Sequence, residues 1–91
     1  MRILLTRYWF KFKSNTVSEL PPNLLFGCGI TAYNEKDALY ILGLRVFKGL
    51  KIPEIVTMEE DVDIGGLDPR HVIPNMKNYT LRGVWFPPEY G

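Results

Sequence analysis

A chain of 91 residues has room for one hydrophobic core, and its 46% hydrophobic and 23% charged residues are typical of a globular domain. This composition excludes a wholly disordered chain and a second domain of similar size. Ten acidic and eleven basic residues give a formal charge of +1, which favours no strongly charged partner.

Cysteine content and the start of the chain bear on location. Cys28 is the single cysteine, so no internal disulfide can form, and we expect a reducing, cytoplasmic compartment. Arg7, Lys11 and Lys13 interrupt the apolar start of the chain, so we expect no signal peptide. No run approaches the roughly 18 consecutive apolar residues of a membrane span, so we expect no membrane partner.

Alternating residues predict a first strand over 3–13. One face of this strand is mostly apolar and aromatic and is the better core face: Leu4, Thr6, Tyr8, Phe10 and Phe12. The other face places Trp9 among Arg7, Lys11 and Lys13, so we expect that face to be partly exposed.

A second strand is predicted over 24–33, antiparallel to the first. Gly27 and Gly29 flank Cys28 within it. Glycine inside a strand marks a bulge or a close approach of another group to the backbone, and we expect one of these at this point.

A helix is predicted from about Glu35 to Phe47. Asn34 is a suitable N-cap, and Asp37 lies three positions later, as in a capping box. Gly43 inside the helix costs about 1 kcal/mol relative to alanine, which suggests tight packing against the sheet. Gly49 is the candidate residue that ends the helix.

The rest of the chain contains weaker signals. We predict a loop over 14–22, a third strand over 54–63 and a short edge strand over 81–86. Asp68 followed by proline predicts a capped helical turn through 70–71.

These elements predict a single α+β domain over residues 1–91. Its three- to four-stranded, largely antiparallel sheet carries one helix on one face and is followed by an irregular C-terminal segment. The second face of the sheet must then be covered by that segment or by a second copy of the chain. A half-covered aromatic sheet in a small domain is typical of a dimer surface.

Three stretches of the sequence are similar to small uncharacterised bacterial proteins, some of them carried on mobile gene cassettes. The residues that carry this resemblance are Gly27 to Tyr33 with Asp37 and Ala38, then Leu67 to Met76, then Arg82 to Pro87. The resemblance implies a compact bacterial domain. It implies no activity and no catalytic residue.

Cys28 and His71 are the only thiol and the only imidazole, and a thiolate–imidazole pair is a common nucleophile. Asn75, four residues after His71, is placed to orient the imidazole if the turn is helical. A lone cysteine in a strand is more often a small buried hydrophobe, so we favour a packed thiol over a catalytic or redox-sensitive one.

An acidic run in the third strand invites a metal interpretation. Residues 61–66 resemble the start of an EF-hand loop, but Gly65 and Val72 stand where that loop needs an oxygen ligand and a bidentate glutamate. We therefore predict no calcium loop, no metal and no cofactor. Loose binding of a divalent ion, or pairing with the basic first strand, stays open beside the favoured interpretation of a solvated strand face.

The first strand mixes cations with aromatic residues, as proteins that bind single-stranded nucleic acids do. The RNP1-type pattern is missing and the net charge is near zero, so nucleic-acid binding is disfavoured. The favoured interpretation places Tyr8, Phe10 and Phe12 in the core.

Polar and aromatic residues are densest in the C-terminal segment, where binding residues on loops are common. A structural interpretation has Asp68 capping its turn, His71 bonding a backbone carbonyl, and Arg82 pairing with the third strand. The competing hypothesis is a pocket in which Arg82 recognises an anion. That pocket would be lined by Tyr33, His71, Tyr79, Arg82 and Trp85.

We predict a non-enzymatic binding domain that acts through a protein surface as a homodimer or with another protein. Trp9 and Trp85 lead its candidate binding residues. The alternative is a small-molecule protein that holds an anionic ligand in the C-terminal pocket. An enzyme is disfavoured, and no catalytic residue is predicted. The chain has a single histidine and no recognisable pair of carboxylates, so it has few side chains suited to general acid–base catalysis.

Overall fold

The computed structural model describes residues 4–13 and 24–90 and contains a four-stranded antiparallel sheet with one helix on one face. The strands in chain order are β1 (Thr6–Phe12), β2 (Cys28–Ala32), β3 (Ile55–Glu60) and β4 (Gly83–Phe86). Their spatial order is β3-β1-β2-β4, so β3 and β4 form the edges. The predicted single small α+β domain is confirmed. The predicted loop over 14–22 lies outside the described residues.

The helix begins at the predicted cap. Asn34 has an extended backbone, and its side-chain oxygen accepts a hydrogen bond from the Asp37 N–H at 2.8 Å. This satisfies one of the N–H groups that a helix start leaves without an intrahelical partner. The α-helix α1 then runs over Glu35–Ile41 and continues as a π-helix over Leu42–Val46.

The helical segment ends at Val46 with Phe47 as its C-cap, so the C′ residue is Lys48, at a left-handed φ of 50°, and not the predicted Gly49. Gly49 takes a positive φ of 84°, and its N–H donates to the Gly43 carbonyl at 2.9 Å. The expected tight packing at Gly43 is wrong. A Cβ there would meet only Ile52 Cδ1, at an ordinary 3.7 Å.

The main core lies between the sheet and the helix. Tyr8, Phe10 and Phe12 of β1 are at most 8% exposed, which confirms this part of the predicted core face. Leu4, also placed on that face, is 72% exposed because the strand begins only at Thr6. The three aromatic residues pack in one cluster with residues of β2 and of the helical segment, among them Ile30 and Leu42. These large apolar side chains lose their contact with water on folding, which is the main favourable term for this layer.

The second face of the sheet is covered by the chain's own C-terminal segment. Trp9 and Trp85 from the sheet pack with Val62 and Val72 from that segment in a second buried cluster. The expectation that the Trp9 face is partly exposed is wrong at Trp9 itself, which is 3% exposed. A second copy of the chain is not required to cover this face.

Strand boundaries differ from the predicted ones at local breaks in extended geometry. The third strand, predicted over 54–63, ends at Glu60 because Asp61 takes a left-handed φ of 53°. The second strand begins only at Cys28, because the Gly27 N–H closes a turn onto the Leu24 carbonyl at 3.0 Å. In the described ranges, 4–13 and 24–90, no helix is long and apolar enough to cross a membrane.

Candidate functional site

Trp9 and Trp85 form a buried aromatic pair. Their rings stack with centroids 5.7 Å apart, and Trp85 is completely buried. Gly27 and Gly29 supply the space, since a Cβ would lie 2.6 Å from the Trp9 ring at Gly27 and 2.4 Å from the Trp85 ring at Gly29. The predicted close approach at these glycines is confirmed. The two tryptophans therefore offer no ring surface to a partner.

Tyr79 connects the C-terminal segment to the sheet through ring contacts and a hydrogen bond. Its ring meets Trp85 edge-on at 6.5 Å, and the Arg7 guanidinium lies over it at 5.5 Å. Its carbonyl accepts a hydrogen bond of 2.6 Å from the Thr31 hydroxyl. Tyr79 is thus engaged in holding the segment in place.

Arg82 joins the start of β4 to the start of α1. Its Nε and Nη2 donate to the two carboxylate oxygens of Asp37, at 2.9 and 2.5 Å. The Tyr33 N–H donates to the same carboxylate at 3.1 Å, and the guanidinium lies 5.2 Å from the centre of the Tyr33 ring. The predicted pairing of Arg82 with the third strand is wrong, because β3 lies at the opposite edge of the sheet from β4.

The electrostatics of this pair follow from its geometry. The Arg82 hydrogen bonds hold the pKa of Asp37 below its ordinary value, and the Tyr33 N–H lowers it further. The same hydrogen bonds raise the pKa of Arg82. Both groups are charged at neutral pH, and the two charges compensate each other within one chain.

Exposed tyrosines flank the compensated pair. Tyr33 is 50% exposed and Tyr40 is 62% exposed. Tyr40 lies three residues after Asp37 on α1, a spacing that places the two side chains next to each other on the helix surface. We call Tyr33, Asp37, Tyr40 and Arg82 the Tyr33–Arg82 surface.

His71 lies in a different environment. Asp68 accepts hydrogen bonds from the N–H groups of Arg70 and His71 at 2.8 and 3.1 Å, which confirms the predicted cap and lowers the pKa of Asp68. The ring nitrogen Nδ1 of His71 lies 3.3 Å from the same carboxylate, so the ring binds a side chain and not the predicted backbone carbonyl. The imidazole stacks on Phe26 with centroids 4.6 Å apart and planes 12° apart.

A small open cavity of about 260 Å³ adjoins this stack. Most of its wall is apolar, and its lining comprises Phe26, His71, Asn75, Phe86, Pro87, Pro88 and Glu89. Of the five residues predicted to line one pocket, only His71 is part of this wall. Sequence reasoning missed Phe26, and no local signal connects it to a histidine 45 residues further along the chain.

The proposed thiol–imidazole nucleophile has no support in the geometry. Cys28 is completely buried in the main core, as the packed-thiol interpretation predicts. Burial raises the pKa of the Cys28 thiol strongly, which disfavours the reactive thiolate. Asn75 does not orient the His71 ring, because its side-chain amide donates to the His71 backbone carbonyl at 2.9 Å.

The surroundings of the first strand bear on the nucleic-acid interpretation. The aromatic rings of β1 are buried, so they form no stacking platform. The cations Arg7 and Lys13 lie 3.7 and 4.0 Å from the carboxylates of Asp61 and Glu54. Across the residues that the structure describes, no three His, Cys, Asp or Glu side chains are placed to hold a metal ion.

These observations define a small α+β domain whose aromatic second core is closed by its own C-terminal segment, and its described residues include an exposed tyrosine–arginine surface and an aromatic cavity. No family model, curated protein or solved structure matches the chain. The resemblance to cassette-borne bacterial proteins stays a prediction.

Proposed function

We propose that this chain is a non-enzymatic, cytoplasmic binding domain of bacterial type that forms a homodimer through the Tyr33–Arg82 surface. The observation that carries the proposal is the internally compensated Arg82–Asp37 pair between two exposed tyrosines. Tyrosine and arginine are enriched among the residues that dominate binding energy at protein interfaces.

Preorganisation of the arginine supports this proposal. Two hydrogen bonds to Asp37 and the Tyr33 ring fix the guanidinium in the free chain, so little side-chain entropy remains to be lost on binding. A guanidinium carries five N–H donors, and Asp37 accepts two of these hydrogen bonds. The Arg82 side chain is 40% exposed, and its remaining donors suit tyrosine hydroxyls or backbone carbonyls across an interface.

Charge compensation supports a second copy as the partner. A two-fold dimer brings the same surface of both chains together. Two copies of the Tyr33–Arg82 surface meet as neutral ion pairs, whereas pairing two β3 edges would bring the exposed carboxylates of Glu59 and Glu60 against their equivalents. The second face of the sheet is covered by the C-terminal segment, so it does not compete as an interface.

The alternative of a small anionic ligand on Arg82 has less support. Arg82 already binds a carboxylate from within the chain, so an anion would have to displace Asp37. Arg82 does not line the cavity beside His71. No observation in the described residues favours this alternative over the interface.

The test is solution mass by light scattering across a concentration series. The unmodified chain is compared with a Tyr33→Ala/Tyr40→Ala double variant and with Val56→Ala as a control. Val56 is 57% exposed on β3, at the opposite edge of the sheet, so its truncation removes exposed apolar surface at a place distant from both tyrosines.

We expect a dimer for the unmodified chain and for Val56→Ala, and a monomer for the double variant. A monomer at every concentration of the unmodified chain would overturn the homodimer. A dimer that survives loss of both tyrosines would overturn the choice of surface. A stable interface of this kind should bury more than about 1,000 Å².

A further inference from the structure

We infer that the turn at the end of the helical segment docks on a lipid bilayer surface that carries anionic headgroups. The docking surface consists of five exposed residues, which we call the Leu44–Lys51 patch: Leu44, Arg45, Lys48, Leu50 and Lys51. The patch shares no residue with the Tyr33–Arg82 surface. The inference therefore does not depend on dimerisation and applies equally to a monomer.

Two leucines of the patch project into solvent. Leu44 is 55% exposed, and Leu50 is 76% exposed, the highest value among the large hydrophobic side chains that the structure describes. Neither leucine belongs to the main core cluster, which Leu42 and Val46 of the same segment fill. The apolar surface of both leucines is therefore free to be buried against something outside the chain.

The local backbone holds the patch on one turn. The helical segment ends as a π-helix over Leu42–Val46, a geometry that is frequent at functional sites. The Leu50 N–H then donates to the Phe47 carbonyl at 2.8 Å, which turns the chain back. Ile52 packs against the main core, and a Cβ on Gly43 would lie 3.7 Å from its Cδ1. The two ends of the patch thus return beside each other.

The cations of the patch are uncompensated. Arg45, Lys48 and Lys51 are the only charged residues over 38–53, a stretch without a carboxylate. Within the described residues none of the three forms an ion pair, unlike Arg82. The C-terminal end of a helix favours cations, which accounts for the sign of the charge but not for the exposed leucines beside it.

The composition of the patch favours a bilayer over a protein partner. Lysine is depleted at protein interfaces, and leucine is under-represented among the residues that dominate their binding energy. Two of the three cations here are lysines, and both apolar side chains are leucines. Segments that lie on membranes combine such residues, because the cations meet anionic headgroups while the apolar side chains enter the acyl boundary. The expectation of no membrane partner rests on the absence of a spanning segment, and binding to a surface needs none.

The test is co-sedimentation of the full chain with vesicles of phosphatidylcholine and phosphatidylglycerol at about 0.05 M salt. The matched probes are vesicles of phosphatidylcholine alone, and the mixed vesicles at about 1 M salt, where screening shortens the reach of charges to about 3 Å. Each cation near an anionic surface strengthens binding about fivefold. We expect saturable binding to the mixed vesicles at low salt and binding at least about tenfold weaker in both matched conditions.

Variants of the patch separate its two contributions. Leu44→Gln/Leu50→Gln removes the apolar side chains and keeps the charges, whereas Arg45→Gln/Lys51→Gln removes two charges and keeps the leucines. We expect each double variant to weaken binding to the mixed vesicles about tenfold or more. All four side chains are exposed, and circular dichroism establishes that each variant is folded.

Two control variants make the same changes outside the patch. Leu25→Gln/Leu81→Gln removes leucines that are 53% and 63% exposed. Lys11→Gln/Lys77→Gln removes two exposed cations on the other side of the sheet from the helix. Lys11 alternates onto the same face of β1 as Trp9, and Lys77 belongs to the C-terminal segment that covers this face. We expect both controls to bind the mixed vesicles as the unmodified chain does.

Four results would overturn the inference. The first, which needs no variant, is the absence of saturable binding to the mixed vesicles at low salt. The second is equal weakening by the patch variants and their controls, and the third is undiminished binding after loss of both patch leucines. The fourth is equally tight binding to soluble poly-L-glutamate that is lost in both patch variants, because this would indicate an acidic protein as the partner.

Discussion

The indole ring of Trp85 lies flat against the backbone of Gly29. A Cβ on Gly29 would sit 2.4–2.5 Å from three carbons of that ring, well inside van der Waals contact. Glycine on this side of β2 lets the second aromatic core approach the sheet, while Cys28 on the other side packs under the helix. Small residues on alternate faces of β2 thus leave space for the packing of both cores.

Gly29→Ala should destabilise the fold strongly. The added methyl group meets three adjacent carbons of a rigid, fully buried indole ring, so either Trp85 or β2 must shift. Overpacking of this kind costs about 1–3 kcal/mol or more, a large part of the stability of a small domain. Urea unfolding at constant temperature measures the loss.

Gly65→Ala is the matched control for that experiment. A Cβ at Gly65 would lie 3.5 Å from Asp63 Oδ1, an ordinary contact at an exposed position. Its effect should stay within about 0.5 kcal/mol. Equal urea midpoints for Gly29→Ala and Gly65→Ala would contradict the contact between Gly29 and Trp85.

Gly43→Ala should have the opposite effect. Gly43 has helical geometry in the π-helical segment, and a Cβ there meets only Ile52 Cδ1 at 3.7 Å. Alanine restricts the unfolded chain and favours the helix, so we expect a gain of about 0.5–1 kcal/mol in the free energy of unfolding. A loss of stability would mean that the π-helical turn does not accept a side chain at this position.

Local signals in the sequence correctly predicted those parts of the fold that depend on residues close together in the sequence. The alternation in β1 identified its core face, and Asn34 with Asp37 identified the start of the helix. The glycines around Cys28 correctly indicated a close approach. These features depend on residues within a few positions of one another, where periodicity and capping chemistry are informative.

The long-range contacts were not predictable in the same way. Trp9 was expected to be partly exposed because three cations share its strand face, yet an irregular segment about 60 residues later covers it. From the sequence alone, several carboxylates were equally plausible partners for Arg82. The order of the strands places Arg82 beside Asp37 and away from β3. Phe26 and His71, which line one cavity, are likewise brought together only by tertiary packing.

The Asp37–Arg82 pair should show a pH-dependent coupling. In a double-mutant cycle with Asp37→Asn and Arg82→Gln, we expect a favourable coupling at pH 7. Because the folded pKa of Asp37 is lowered, its contribution is fully present above the unfolded value of about 4. The coupling should disappear as the pH falls through the folded pKa, which urea unfolding at a series of pH values can follow.

The Lys13–Glu54 pair provides a comparison for this cycle. Its atoms are 4.0 Å apart and both side chains are at least half exposed, so its coupling should be weaker than that of the two-point Asp37–Arg82 contact. Couplings of equal size in both pairs, or an Asp37–Arg82 coupling that ignores pH, would contradict the assigned geometry.

Cys28 should react only when the chain opens. The thiol is completely buried, so iodoacetamide labelling at neutral pH should be slower than in concentrated guanidinium chloride by on the order of 10³-fold or more, the factor set by a stability of about 5 kcal/mol. Mass spectrometry of the labelled chain measures both rates. Fast labelling of the folded chain would restore the catalytic-thiol hypothesis.

The same thiol should make the fold less stable in alkali. Burial raises the pKa of Cys28 in the folded chain, while in the unfolded chain it ionises near pH 8.5. Above that pH the unfolded state binds fewer protons, so the free energy of unfolding should fall by up to about 1.4 kcal/mol per pH unit from this group. Urea unfolding between about pH 8.5 and 9.5 measures the slope, below the range where Tyr8 ionises in the unfolded chain. Cys28→Ala should reduce the slope by that amount whatever its effect on absolute stability, and an unchanged slope would mean that the thiol ionises equally in both states.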